Sequence, residues 1–111
     1  MTTNLRRRLQ DALERLRTTP FPEDSGTSEQ LSELHAELAE YDGHVAGVAS
    51  SVLGGSQVER GLLQQDRTLR SRLALLAANA ENPVRYEARQ HLDYCGRLDE
   101  LLHIAQELVG R

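Results

Sequence analysis

The sequence contains no lysine and no tryptophan, and Phe21 is its only phenylalanine. Aromatic residues make up 4% of the chain, so its apolar content is mainly Leu, Val and Ala. This composition is typical of packed helices rather than of β-sheets. All thirteen basic residues are arginine, which we interpret as the mark of a GC-rich, bacterial genome. The composition therefore favours an all-α protein.

A single cysteine, Cys95, excludes an internal disulfide and any zinc site with two or more cysteine ligands. Residues 1–17 carry arginine without the unbroken apolar run of a secretory signal. The most apolar run, from Val45 to Leu53, is too short to cross a bilayer. The formal net charge of −4 argues against general affinity for nucleic acid. We therefore expect a cytoplasmic protein without a transmembrane segment.

Helical periodicity divides the chain into four segments. We predict helices at approximately 3–18, 28–53, 57–80 and 83–109. Pro20 and Pro22 enforce the first loop, either Thr27 or Ser28 caps the second helix, and Gly54 ends it. The short connections favour an antiparallel four-helix bundle, with one short helix followed by three long ones, in a single domain of all 111 residues.

Ladders of apolar residues at alternating steps of three and four identify the side of each helix that faces the core. The expected core positions are Leu9, Leu13 and Leu16 in the first helix; Leu31, Leu34, Leu38, Tyr41, Val45, Val48 and Val52 in the second; Val58, Leu62, Leu69, Leu73, Leu76 and Ala80 in the third; and Val84, Ala88, His91, Cys95, Leu98, Leu102, Ala105 and Val109 in the fourth. The three long ladders are predicted to form the core, and the first helix to clamp one end.

A stripe of small residues runs along the second helix, opposite its ladder. At about 100° per residue, Gly43, Gly47, Ser50 and Gly54 project together. Each glycine costs about 1 kcal/mol relative to alanine inside a helix. Close packing of another helix, a bend near Gly43 and simple tolerance are the three explanations. We favour close packing, because the fourth helix carries a second apolar side that also indicates a further contact.

The fourth helix carries a second apolar side, where Leu101, Ile104 and Leu108 project away from its ladder. Such a side indicates a further contact, and a symmetric homodimer is the commonest form of one. Coverage by the short first helix within one chain is the alternative. We predict an interaction surface made of Gly43, Gly47, Ser50, Gly54, Leu101, Ile104 and Leu108.

His91 lies at a core position of the fourth-helix ladder. Glu87, His91 and Cys95 follow one another at intervals of four, so each can reach the next, and His35 flanks the second-helix ladder. These four side chains could bind a transition metal, or a histidine could ligate haem iron. The chain lacks the paired Glu-x-x-His motifs of a di-iron bundle. We favour a buried neutral histidine with one polar neighbour and predict no cofactor.

Charged residues are segregated along the chain. Residues 1–18 carry five arginines, residues 19–55 carry seven acids and no arginine, and residues 56–80 carry four arginines. We expect the acidic second helix to lie between basic neighbours and to pair with Arg67 and Arg70. The alternatives are a basic docking or membrane surface on the first helix and nucleic-acid binding through the arginine-rich faces.

These features together predict a non-enzymatic, dimeric adaptor or regulatory protein that acts through protein–protein interaction. The partner is a second copy of the chain, with another helical protein as the alternative. A metal- or haem-binding bundle centred on His91 and Cys95 is the competing hypothesis.

Overall fold

The computed structural model describes the backbone of residues 2–53 and 60–109 and the side chains of residues 4–51 and 61–108. Within these ranges the chain is helical and contains no strand. The helices are α1 (Thr2–Thr18), α2 (Glu29–Leu53), α3 (Arg60–Asn79) and α4 (Val84–Val109). The predicted all-α bundle is confirmed. No helix in the described ranges is long and apolar enough to cross a membrane.

Local hydrogen bonds explain where α2 begins. Ser28 is its N-cap, because the backbone N–H of Leu31 donates to Ser28 Oγ at 3.2 Å. The preceding loop is held by Asp24, whose carboxylate accepts from Gly26 N at 3.0 Å and from Ser32 Oγ at 2.6 Å. Gly26 has a φ of +77°, in the left-handed region that glycine enters readily. These contacts fix the loop against the start of α2.

Helix α3 is antiparallel to α2. Tyr41 of α2 donates a hydrogen bond to Asp66 near the start of α3, whereas Glu37, one turn earlier on α2, pairs with Arg72 further along α3. The same reasoning places α2 and α4 parallel, because residues 35 and 42 of α2 bond to residues 91 and 94 of α4. Helix α4 packs against all three other helices.

The core follows the predicted ladders closely. Its fully buried side chains include Leu9, Leu31, Leu34, Leu38, Tyr41, Val45, Leu69, Leu73, His91, Leu98, Leu101 and Leu102. On α2 the ladder departs from expectation at one step, because Ala49 is buried and Val48 is half-buried. A straight helix has 3.6 rather than 3.5 residues per turn, so a strict heptad seam drifts around it. The side chains at positions 52, 58 and 109 lie outside the described residues.

The second apolar side of α4 is covered within the chain. Leu101 and Ile104 are only 1% and 4% exposed, and Leu108 is half-buried against the core. The prediction that Leu101 and Ile104 belong to a surface for a partner is therefore wrong, whereas Leu108 is covered only in part. The physical reason is that α1 packs along α4 and its leucines join the same apolar cluster. The intramolecular alternative is the one that the structure contains.

The burial of Leu101 leads to a testable prediction about stability. Leu101→Ala should lower the free energy of unfolding by about 2–5 kcal/mol, because it leaves a cavity in the core. The matched control is Leu75→Ala on α3, whose side chain is 63% exposed and should change stability by less than about 0.5 kcal/mol. Urea denaturation followed by circular dichroism measures both values. Equal effects of the two substitutions would contradict the placement of α1.

Candidate functional site

The small-residue stripe of α2 faces outward. Gly43, Gly47 and Ser50 are exposed, and Gly54 lies outside the described residues. A Cβ added at Gly43 or Gly47 would meet no atom within 4 Å beyond its own helix backbone and chain neighbours. Helix α2 is unbroken from Glu29 to Leu53, so the glycines do not interrupt it. Neither close packing within the chain nor a break in the helix accounts for them. We call Gly43, Gly47 and Ser50 the glycine face.

Two histidines, the half-buried His35 of α2 and the buried His91 of α4, meet where these helices pack together. Nδ1 of His35 lies 2.9 Å from Nε2 of His91, which is fully buried. Nδ1 of His91 lies 2.6 Å from the backbone oxygen of Glu87. A carbonyl oxygen only accepts, so Nδ1 of His91 carries the hydrogen and its Nε2 accepts from His35. The sequence predicts a buried neutral histidine with one polar neighbour. In the structure both nitrogens of His91 are bonded, so it has two polar neighbours, His35 and Glu87.

The surroundings of the histidine pair favour its neutral form. The pKa of His91 is lowered, chiefly because burial removes water from the charged imidazolium; the bond to the Glu87 carbonyl acts in the opposite direction. Phe21 covers the pair, packing edge-on against His35 with ring centroids 5.1 Å apart. The same ring lies 5.0 Å from that of Tyr94. The pair is therefore a hydrogen-bonded structural contact between α2 and α4.

The four candidate metal ligands do not converge in this geometry. His35 and His91 come together as the metal hypothesis required, but the lone pair of His91 is directed at His35. The carboxylate of Glu87 accepts instead from the backbone N–H of Ser25 at 3.1 Å. Cys95 is buried, and the charged groups that act on its thiol are Asp66, Arg70 and Asp99. Within the described ranges, no three His, Cys, Asp or Glu residues are grouped to hold a metal ion.

A second polar cluster lies between α2, α3 and α4, and sequence reasoning missed it. Asp66 is only 2% exposed. Its Oδ1 accepts from the Tyr41 hydroxyl at 2.7 Å, and its Oδ2 accepts from Arg70 Nε at 3.0 Å. Arg70 also approaches Asp99, with Nη2 3.5 Å from Oδ1. His103 Nδ1 lies 3.1 Å from that same oxygen. We call these five residues the buried carboxyl layer.

A signal for this layer was present in the sequence. The third-helix ladder passes from Leu62 directly to Leu69, a step of seven that skips one turn. The omitted position is 66, four residues after Leu62 and three before Leu69. A charged residue at a ladder position predicts burial with a partner, because an unpaired buried charge is costly. The gap is therefore a signal by which Asp66 could have been found.

The arginines of "RTLRSR" have separate roles. Arg72 Nη1 donates to both carboxylate oxygens of Glu37 at 3.0 Å, which is the attraction expected between α2 and α3. Arg70 pairs with Asp66 and Asp99 instead of with α2, so the prediction for Arg70 is wrong. It lies one turn from Asp66 and reaches α4. Arg67 is exposed and makes no ion pair within the described part of the chain.

An open cleft lies between the loop before α2 and the first half of α4. Its volume is about 360 Å³. It is lined by Thr19, Pro20, Phe21, Pro22, Glu23, Gln90, Asp93, Tyr94 and Arg97. Tyr94 is fixed there by its hydroxyl, which donates to Asp42 Oδ1 at 2.8 Å. The cleft shares Phe21 with the histidine pair, so the loop that forms its wall also covers the pair.

The histidine pair predicts a loss of stability in acid. The unfolded chain binds a proton at His91 with a pKa of about 6.5, whereas the folded chain resists that proton. The free energy of unfolding should therefore fall as the pH decreases below about 6.5. His91→Asn should remove part of that pH dependence. At pH 7.5 it should lower the free energy of unfolding by about 1–3 kcal/mol, because His35 loses its hydrogen-bond acceptor.

Chemical denaturation between pH 5 and pH 7.5 measures this effect. His44→Asn is the matched control, because His44 is exposed on α2 and should leave the profile unchanged. Parallel stability profiles for His91→Asn and the unaltered protein would contradict a buried neutral His91.

Cys95 should be chemically inert in the folded chain. Burial is the main cause that raises the pKa of its thiol to about 12, so very little reactive thiolate exists at neutral pH. Reaction with a disulfide reagent at pH 8 should be about a thousandfold slower than in denaturant, where the thiol pKa is about 8.5. Release of the coloured thiol product measures both rates. Similar rates with and without denaturant would show that Cys95 is accessible.

The described geometry thus contains an uncovered glycine face, a histidine pair, a buried carboxyl layer and an open cleft. No known protein family, curated protein or solved structure matches the chain.

Proposed function

We propose that this chain is a non-enzymatic, cytoplasmic interaction protein that forms a homodimer through the glycine face. The observation that carries the proposal is the exposure of Gly43 and Gly47 in the middle of an unbroken helix, with open space where their side chains would be. His91 and Cys95, the residues that suggested chemistry, are occupied in core packing. An adaptor or regulatory role through protein contact is the function that this exposed face supports best.

The cost of the glycines supports this proposal. Two glycines inside α2 cost about 1 kcal/mol each relative to alanine, and no contact within the described chain offsets that cost. A helix without Cβ atoms on one face lets another backbone approach closely and gain van der Waals contact. A second helix on this face would therefore supply the compensation that the single chain lacks.

Charge on the outer side of α2 favours an antiparallel pairing of the two copies. Three exposed acids, Glu29, Glu33 and Glu40, precede the glycine face along α2. His44, which is also exposed, lies beside that face. A parallel dimer would place the acidic halves of both helices together, at a cost in like-charge repulsion. An antiparallel twofold axis near Gly47 places Glu40 of each copy toward the end of the partner copy's α2, where residues 45–53 carry no charge. Such a symmetric contact uses the same patch on both chains.

Substitution of Gly47 tests the proposal. Gly47→Leu should weaken the dimer by at least about tenfold in Kd, because the side chain holds the two backbones apart. It should leave helical content intact and make the isolated chain up to about 1 kcal/mol more stable, since leucine is the better helix former. Gly96→Leu is the matched control, because Gly96 is also exposed and helical with open space around it, but lies on α4.

Light scattering across a concentration series supplies the measurement. We expect the unaltered protein and Gly96→Leu to approach twice the mass of one chain as concentration rises, and Gly47→Leu to remain at the mass of one chain. A single-chain mass for the unaltered protein at every concentration would refute the homodimer. Equal weakening by both substitutions would show that the contact lies elsewhere.

A further inference from the structure

The buried carboxyl layer holds two carboxyl groups against one guanidinium group. Arg70 Nη2 lies 3.0 Å from Asp66 Oδ2 and 3.5 Å from Asp99 Oδ1. The Tyr41 hydroxyl donates to the other oxygen of Asp66. If both carboxyl groups were ionised, two negative charges would face the single positive charge of Arg70, and Asp66 is only 2% exposed. Like charges in such a place favour the uptake of a proton by one of them.

Asp99 supplies the second observation. Its Oδ1 is buried and has no hydrogen-bond donor among the described residues. His103 Nδ1 is close, at 3.1 Å, but its N–H donates to the backbone oxygen of Asp99 at 2.8 Å. A carboxyl proton on Asp66 would provide the missing donor, since both carboxyl groups lie within 3.5 Å of the same Arg70 nitrogen.

We propose that Asp66 and Asp99 share one proton and that this proton strengthens the packing of α3 against α4. The O–H of Asp66 donates to Asp99 Oδ1, while Asp66 still accepts from Tyr41 and Arg70. Release of the proton to water leaves the two carboxylates facing each other and removes the hydrogen bond between the helices. This inference concerns the interior of one chain and does not depend on the glycine face.

Groups from the neighbouring elements permit this arrangement. Tyr41 from α2 and Cys95 from α4 both have raised pKa values, chiefly through burial, so they stay protonated at neutral pH. Arg70 of α3 stays charged, because the nearby carboxylates raise its pKa in opposition to burial. His103 is exposed and lines a cleft of about 310 Å³ that reaches Asp66. That cleft gives the proton a route between the pair and solvent.

The direction of the pH dependence follows from Asp66. Its pKa is raised to about 6, first by burial and then by its hydrogen bond with Asp99. An aspartate in an unfolded chain has a pKa of about 3.9. The folded chain therefore holds a proton that the unfolded chain releases between these values. The resulting stability is complete below about pH 4 and is lost as the pH rises through about 6.

The first test compares the unaltered protein with Asp66→Asn, which keeps the shape of the side chain and does not ionise. The folding equilibrium constant of the unaltered protein, divided by that of Asp66→Asn, should be about tenfold larger at pH 5 than at pH 7.5. The acid-side loss through His91 is common to both proteins, so it cancels in this ratio. Asp93→Asn, on an exposed position of α4, should give a ratio that does not vary with pH. A pH-independent ratio for Asp66→Asn as well would overturn the proposal.

The second test does not require Asp66→Asn to fold. Nuclear magnetic resonance of the side-chain carboxyl carbons should show Asp66 titrating near pH 6 in the unaltered protein. In Asp99→Asn its midpoint should fall by at least about one pH unit, because both the like charge and the shared proton are gone. Titration of both carboxyl groups near pH 4 in the unaltered protein would overturn the proposal. An unchanged midpoint in Asp99→Asn would do the same, since burial alone would then explain the shift.

Discussion

Helix α4 has two apolar sides, and the need to bury both determines where the other helices lie. Its ladder packs against α2 and α3, while Leu101 and Ile104 are covered by α1. Because α1 is occupied in this way, it leaves the outer side of α2 uncovered. The exposure of the glycine face is thus a consequence of how α4 is enclosed. A bundle in which α1 lay across α2 would have left α4 with an unburied apolar side instead.

Two polar residues, Asp66 and His91, interrupt this apolar core at ladder positions. Each bonds to a side chain on another helix: Tyr41 in the first case and His35 in the second. A buried polar group that loses its partner costs about 1–3 kcal/mol, so each contact favours one register of α2 over its neighbours. The apolar ladders alone would tolerate a shift by one turn more readily, because leucines can pack against many others.

The inner and outer sides of α2 therefore have different tasks. The inner side supplies the partners that the buried polar residues of α3 and α4 require. The outer side makes no contact at Gly43 or Gly47 and is available to a second chain. A proton that changes the carboxyl layer acts on packing within one chain, whereas a partner at the glycine face acts between chains. The two proposals rest on opposite faces of one helix and can be judged separately.

The sequence by itself determined the four helices and most of the core, because both follow from spacing along a single helix. It also contained a signal for Asp66, the gap between Leu62 and Leu69, which sequence reasoning missed. Only the tertiary structure decided that α1 covers Leu101 and Ile104 and that His91 bonds to His35. The physical reason is that a helix specifies which side must be buried, whereas the element that buries it depends on where distant segments of the chain pack.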